Sequence, residues 1–164
     1  MRRAILWMVL AIGGPATAHD FWVQPQVFRV QPEAMTAFTL QVGHGPYRQR
    51  SPIAAHRIVR FERIGPSTKE DVRTALHPGG PAEDGAISLP SRGTYMLVLE
   101  TDNRAESHLP SLRFNDYLEA EGLTPALERR KREHRMDYDE TEIYSRRAKV
   151  LMQSGAFAAT AQAA

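Results

Sequence analysis

Between Asp20 and about Asp102 the chain consists of short apolar-rich segments divided by proline and glycine, and this punctuation constrains the fold more than any other feature. A helix needs an apolar stripe at three- and four-residue spacing, and no stretch of this region supplies one of convincing length. Strands need only a few alternating residues. Thr36-Ala-Phe-Thr-Leu-Gln-Val42 puts Thr36, Phe38, Leu40 and Val42 on one face and Ala37, Thr39 and Gln41 on the other. Gly93 to Glu100 carries Tyr95, Leu97 and Leu99 on one face and Met96 and Val98 on the other. That is the pattern of a strand covered on both sides, and so central in its sheet. Shorter candidates are Phe21–Val23 closed by Pro25, Val27–Val30 closed by Pro32, His56–Ile64, a weakly pairing Val72–Leu76, and Ala86–Leu89. Gly43-His44-Gly45-Pro46 is read as ending the Thr36–Val42 strand and opening a polar loop through Tyr47, Arg48, Arg50 and Pro52. Six or seven short strands at this spacing predict a mainly β fold, an immunoglobulin-like antiparallel β-sandwich over residues 19–153.

After Asp102 the texture changes. Leu112 to Glu121 has Phe114, Tyr117 and Leu118 at helical spacing, with Gly122 to close the helix. Thr124 as cap and Pro125 in the first turn open a second helix. Its stretch Glu128–Arg135 is nearly all charged and is expected to project into water, held by i to i+4 pairs. Together these make a helical insertion over about 112–135. Ile143 to Met152 fits either periodicity; the strand reading, with Tyr144, Arg146, Ala148 and Val150 on one face, is preferred. Residues 154–164 read as a disordered, alanine-rich tail.

The first 18 residues have the three-part anatomy of a cleavable export signal. Arg2 and Arg3 are followed by the apolar run Ala4–Ile12, the helix-breaking Gly13-Gly14-Pro15 and the small-x-small triplet Ala16-Thr17-Ala18. The apolar run covers less than half of the roughly 30 Å of a bilayer core, so it is not an anchor and the mature chain is not expected to span a membrane. Lys and Arg total 21 against 19 Asp and Glu, and Arg2 and Arg3 account for the difference. A balanced mature chain without aromatic-interleaved basic patches disfavours nucleic acid as a partner. The chain has no cysteine, which excludes disulfides, thiolate metal sites and cysteine nucleophiles. An exported chain without disulfides suits the periplasm of a Gram-negative bacterium.

His19-Asp20-Phe21-Trp22 at the cleavage point, Gly93-Thr94-Tyr95, the block Arg113-Phe114-Asn115-Asp116-Tyr117-Leu118-Glu119-Ala120-Glu121-Gly122-Leu123 and Tyr144-Ser145-Arg146-Arg147-Ala148-Lys149-Val150-Leu151 resemble the bacterial domain of unknown function 4198. The resemblance runs from His19 to about Gln153. It implies an exported β-sandwich, linked by family name to the substrate-specific component of nickel uptake systems. It also implies further β-structure after Gln153, where this chain has its alanine-rich tail.

Cleavage after Ala18 would leave His19 with a free α-amine beside its imidazole. With pKa values of about 7.7 to 8.0 and about 6.5, both nitrogens can be unprotonated near neutral pH and chelate one copper, nickel or zinc ion. His44, on a glycine-flanked loop at a strand end, is the candidate third donor. His56 comes next, then His77 and His108, while His134 reads as a surface residue of the charged helix. No nucleophile elbow, phosphate loop or paired-carboxylate arrangement stands out. Asp137-Tyr-Asp-Glu-Thr-Glu142 lacks the glycine and spacing of a calcium loop and reads as a solvated acidic turn. The expected function is therefore a non-enzymatic periplasmic protein that binds copper or nickel through His19 and His44 and assists metal handling or uptake. The alternative is a metal-free interaction module whose helical insertion docks on a membrane transporter or an outer-membrane receptor.

Overall fold

The computed structural model describes residues 20–44 and 46–155. The expected export signal, His19 and the expected tail from residue 156 onward lie outside the described residues.

The β-rich part of the chain forms one compact unit, covering the described residues up to His108 and from Thr141 onward. One sheet is built around β3 (Met35–His44). β1 (Asp20–Pro25) pairs antiparallel along one edge of it, from Asp20 opposite Gly43 to Pro25 opposite Phe38. The other edge is shared: β7 (Gly85–Ser88) pairs with Met35–Phe38 and β4 (Tyr47–Arg50) with Gln41–His44. The second sheet has the order β2 (Arg29–Val30), β11 (Arg147–Ser154), β8 (Gly93–Thr101), β5 (Ile58–Ile64), β6 (Lys69–Asp71). All its pairings are antiparallel except the two-residue one between β2 and β11. A separate two-stranded ribbon joins β9 (Ala105–Leu109) and β10 (Glu140–Tyr144).

The two larger sheets bury their facing sides in one core, as a β-sandwich does. Thr36, Phe38, Leu40 and Val42 of β3 are all buried, as their alternation predicts. Phe38 and Leu40 share the core with Phe61 of β5, Tyr95, Leu97 and Leu99 of β8, and Ala148 and Met152 of β11. Phe38 and Phe61 join the sheets directly, with ring centroids 5.3 Å apart. Each fully buried phenylalanine contributes about 2 to 3 kcal/mol of transfer free energy. β8 holds the middle place among the five strands, and Val98 on its other face is also buried, in line with the two-faced apolar pattern. At its start the Tyr95 hydroxyl receives the Ser91 amide (3.0 Å) and donates back to the Ser91 carbonyl (3.1 Å), clamping the turn that leads into the strand. Tyrosine corners of β-sandwiches use this arrangement.

Three local expectations are corrected. Tyr47–Arg50 is a strand rather than a loop, invisible to alternation because it is a polar edge whose stability comes from backbone pairing with β3. Val72–Leu76 is mostly a 3-10 turn, Arg73–Ala75, leaving a single bridge from Leu76 to Gly85. Ser154 is a buried residue at the end of β11, and the Gly155 amide bonds to Val30. The ambiguous segment Ile143–Met152 is strand, divided between β10 and β11.

Leu109–Glu140 forms a unit of its own around α1 (Ser111–Ala120) and α2 (Thr124–Arg132). Both helices end in the same double-bonded turn. The Leu123 amide reaches the Leu118 carbonyl (2.8 Å) across Gly122, and the Arg135 amide reaches the Arg130 carbonyl (2.9 Å) across His134. Gly122 at φ 66° suits this left-handed position; His134 adopts it at φ 53° despite its side chain. Thr124 is not the cap of α2: Leu123 occupies that place and no side chain caps it. Nor does the charged helix simply face water, because Arg130 is 6% exposed. Its guanidinium lies 4.8 Å from the Phe114 ring centre and bonds to Asn115 Oδ1 (2.9 Å) and the carbonyls of Arg135 (2.7 Å) and Tyr138 (2.8 Å). It also pairs with Glu140 at 2.6 Å. Phe114 and Asn115, from the most distinctive block of the sequence, thus serve to hold one buried cation.

Candidate functional site

The antiparallel register of β1 and β3 sets Asp20 opposite Gly43, which brings the beginning of one strand to the end of the other. His44 is the last residue of β3, and its Nδ1 lies 3.8 Å from Asp20 Oδ2. The imidazole side chain is 33% exposed and the carboxylate 80%, so the pair sits at an open rim. Gly43 allows β4 to approach β3 closely here: at φ 148°, a Cβ there would come within 2.1 Å of the Tyr47 carbonyl oxygen. His44 pairs in register with Tyr47, which is 84% exposed.

The other candidate histidines sit elsewhere. His56 is in the 3-10 turn Ala55–Arg57. His77 faces Glu83 at 3.6 Å, His108 Nδ1 is 2.8 Å from the Thr141 hydroxyl, and His134 closes α2. Among the described residues no group of three or more histidine, aspartate or glutamate side chains is arranged to hold a metal ion. His44 and Asp20 are two donors at most, and His19, the proposed chelating residue, lies outside the described residues. Nor is the segment Asp137–Glu142 a merely solvated acidic turn. Asp139 Oδ1 accepts the Ser111 amide (2.8 Å) at the start of α1, and Glu140 pairs with Arg130 and Arg135.

Sequence reading missed the most deeply buried carboxylate among the described residues. Asp84 is 1% exposed and fills the gap on the edge of β3 where β7 ends and β4 begins. Its Oδ2 accepts the Leu40 amide (2.8 Å) and Arg50 Nε (3.2 Å). Oδ1 accepts the Gly79 amide (2.8 Å) and Arg50 Nη2. Burial pushes this carboxyl upward, but the Arg50 guanidinium and the two amides outweigh it and hold the group below the usual carboxylate range. An aspartate in Pro81-Ala82-Glu83-Asp84-Gly85 looks like an ordinary turn residue, so no local signal announces it. Apart from the Gly79 amide, its partners are supplied by β3 and β4, more than 30 residues away.

No helix among the described residues is long and apolar enough to cross a membrane. Comparisons with curated proteins and with solved structures find no match. The model of one family, described as a domain of unknown function (DUF4198), matches residues 16–164. With nearly its whole length matched, and with the mainly β, two-sheet architecture that the resemblance implies, the chain belongs to the DUF4198 family.

Proposed function

We propose that the mature protein begins at His19 in the periplasm and binds a copper or nickel ion, assisting its handling or uptake. The observation that supports this is the meeting of β1 and β3, with His44 Nδ1 3.8 Å from the Asp20 carboxylate at an open rim. Asp20 is one peptide bond from His19. A terminal amine and imidazole at that point have His44 as a third nitrogen donor and Asp20 as an oxygen donor. Nitrogen-rich sets of this kind favour copper and nickel over hard cations. Binding and delivery need no reacting group, and the reading is non-enzymatic.

The test has two stages. Intact mass of the exported protein must show a chain starting at His19, since retention of even Ala18 removes the amine-plus-imidazole chelate. Calorimetric titration with copper and nickel then compares wild type with His19→Ala and His44→Ala. Loss of one donor is expected to weaken binding by at least about tenfold, or about 1.4 kcal/mol. Equal affinity in all three proteins overturns the metal reading. The second reading, a metal-free module docking on a transporter or receptor, draws support from Leu112 and Leu123 of the helical unit, 72% and 40% exposed. Retained transport-linked phenotype in His19→Ala, with loss in Leu112→Ser, would favour it.

A further inference from the structure

Six arginines among the described residues are not fully exposed: Arg50, Arg57, Arg60, Arg63, Arg130 and Arg146. Five of them pair with an acid: Arg50 with Asp84, Arg57 with Asp102, Arg60 with Glu62, Arg63 with Glu70 and Arg130 with Glu140. Arg146 is the exception. Its guanidinium carbon lies 5.3 Å from the Phe21 ring centre and 5.5 Å from the Tyr144 ring centre. Both distances fall within the range of cation–π attraction. Among the described residues it has no carboxylate and no side-chain hydrogen bond.

The backbone beneath it is fixed. The Arg146 amide donates to the Thr101 hydroxyl (2.8 Å) and the Arg146 carbonyl accepts the Thr101 amide (2.9 Å). Thr101 is buried at the end of the central strand β8, and Phe21 packs against the core. A guanidinium held over aromatic rings still has its N–H donors in its own plane, and their planar fork matches the two oxygens of a carboxylate. The rings lower the entropy lost when the side chain is used, which is the usual advantage of preorganisation.

We propose that Arg146, held by Phe21 and Tyr144, is a binding site for an oxyanion, a ligand carboxylate before a phosphate. This assignment is independent of the metal reading. It places the recognition of an anionic small molecule at the junction of β10 and β11, where the sequence Tyr144-Ser145-Arg146-Arg147 also supplies a second, exposed arginine as an internal control.

Nitrogen-15 NMR of the full mature chain, read at the arginine Nε–H resonances in wild type and at the backbone amides of residues 145–147 in wild type and every variant, tests it with citrate and inorganic phosphate as probes. Citrate is expected to move the Arg146 resonance along a saturable curve, with phosphate weaker. Arg146→Gln is expected to abolish the saturable response, Arg146→Lys to weaken it about tenfold or more by losing the fork while keeping the charge, and Arg147→Gln to leave it unchanged. A linear shift shared by all exposed arginines, or a saturable response that survives in Arg146→Lys at wild-type affinity, overturns the proposal. So does loss of stability in Arg146→Lys with no citrate response in wild type, since that describes a structural strut.

Discussion

Replacing Asp84 by alanine is the most informative perturbation of the sandwich. The carboxylate satisfies the Leu40 amide in the middle of β3, at the point where neither β7 nor β4 reaches, and its removal strands that buried donor. A buried unpaired amide costs about 1 to 3 kcal/mol. Gly79 is exposed and recovers water, and the Arg50 side chain, 34% exposed, recovers part of its hydration. The two edge strands also lose the staple that Arg50 makes between Asp84 and the Gly80 carbonyl (2.6 Å). Together the loss is expected to be about 3 to 4 kcal/mol, a large share of the 5 to 15 kcal/mol typical of a domain. At this size that is a fall in Tm of roughly 10 °C. Asp84→Asn keeps the shape and one acceptor for Leu40, and should cost about half as much. Urea unfolding followed by the fluorescence of Trp22 in β1 measures both. The pH dependence carries the sign. Because folding lowers the Asp84 pKa, its contribution is complete above the unfolded value of about 3.9 and is lost as pH falls below that through the folded value. The stability gap between wild type and Asp84→Asn should therefore be constant near neutrality and close in acid. An alanine variant within 1 kcal/mol of wild type, or a gap that widens in acid, would refute the reasoning.

Two further outcomes follow from the geometry. Tyr95→Phe removes a hydroxyl that bonds to both backbone groups of Ser91 while leaving the buried ring in place, and is expected to cost about 1 to 2 kcal/mol in urea unfolding; no change would mean the corner is incidental. His134→Gly relieves a side chain at φ 53° in the turn that ends α2, and is expected to slow hydrogen exchange at the Arg135 amide several-fold, as a gain of about 0.5 to 1 kcal/mol in local stability requires. Faster exchange there would show that the imidazole itself holds the turn.

Much of the fold was legible in order along the chain because the physics involved is local. Period-two alternation in Thr36–Val42 marks a half-buried strand wherever it pairs, and the doubly apolar Gly93–Glu100 can only be covered on both sides. Gly122 ends α1 for the same conformational reason in any context. The segments misread are those whose structure comes from a partner rather than from their own side-chain pattern. Tyr47-Arg48-Gln49-Arg50 has no apolar face and becomes a strand only because β3 offers it an edge. Arg130 lies in a run of charges and is buried only because Phe114, Asn115 and Glu140 surround it.

The same division holds for the site. By itself the sequence determined the longer strands of the sandwich, the helical pair and the residue types at hand: a histidine after a small-x-small triplet, another between two glycines, and no cysteine. Which of these meet was decided by register. Pairing Asp20 with Gly43 brings His44 beside Asp20, whereas a slip of one residue would have turned each β1 side chain to the opposite face. Pairing β11 with β8 likewise fixes Arg146 to Thr101, just beyond the paired residues and near Phe21 and Tyr144. Side-chain alternation is written locally and can be read locally. Ion pairs, cation–π contacts and donor sets join residues tens of positions apart, and only the folded chain brings them within reach.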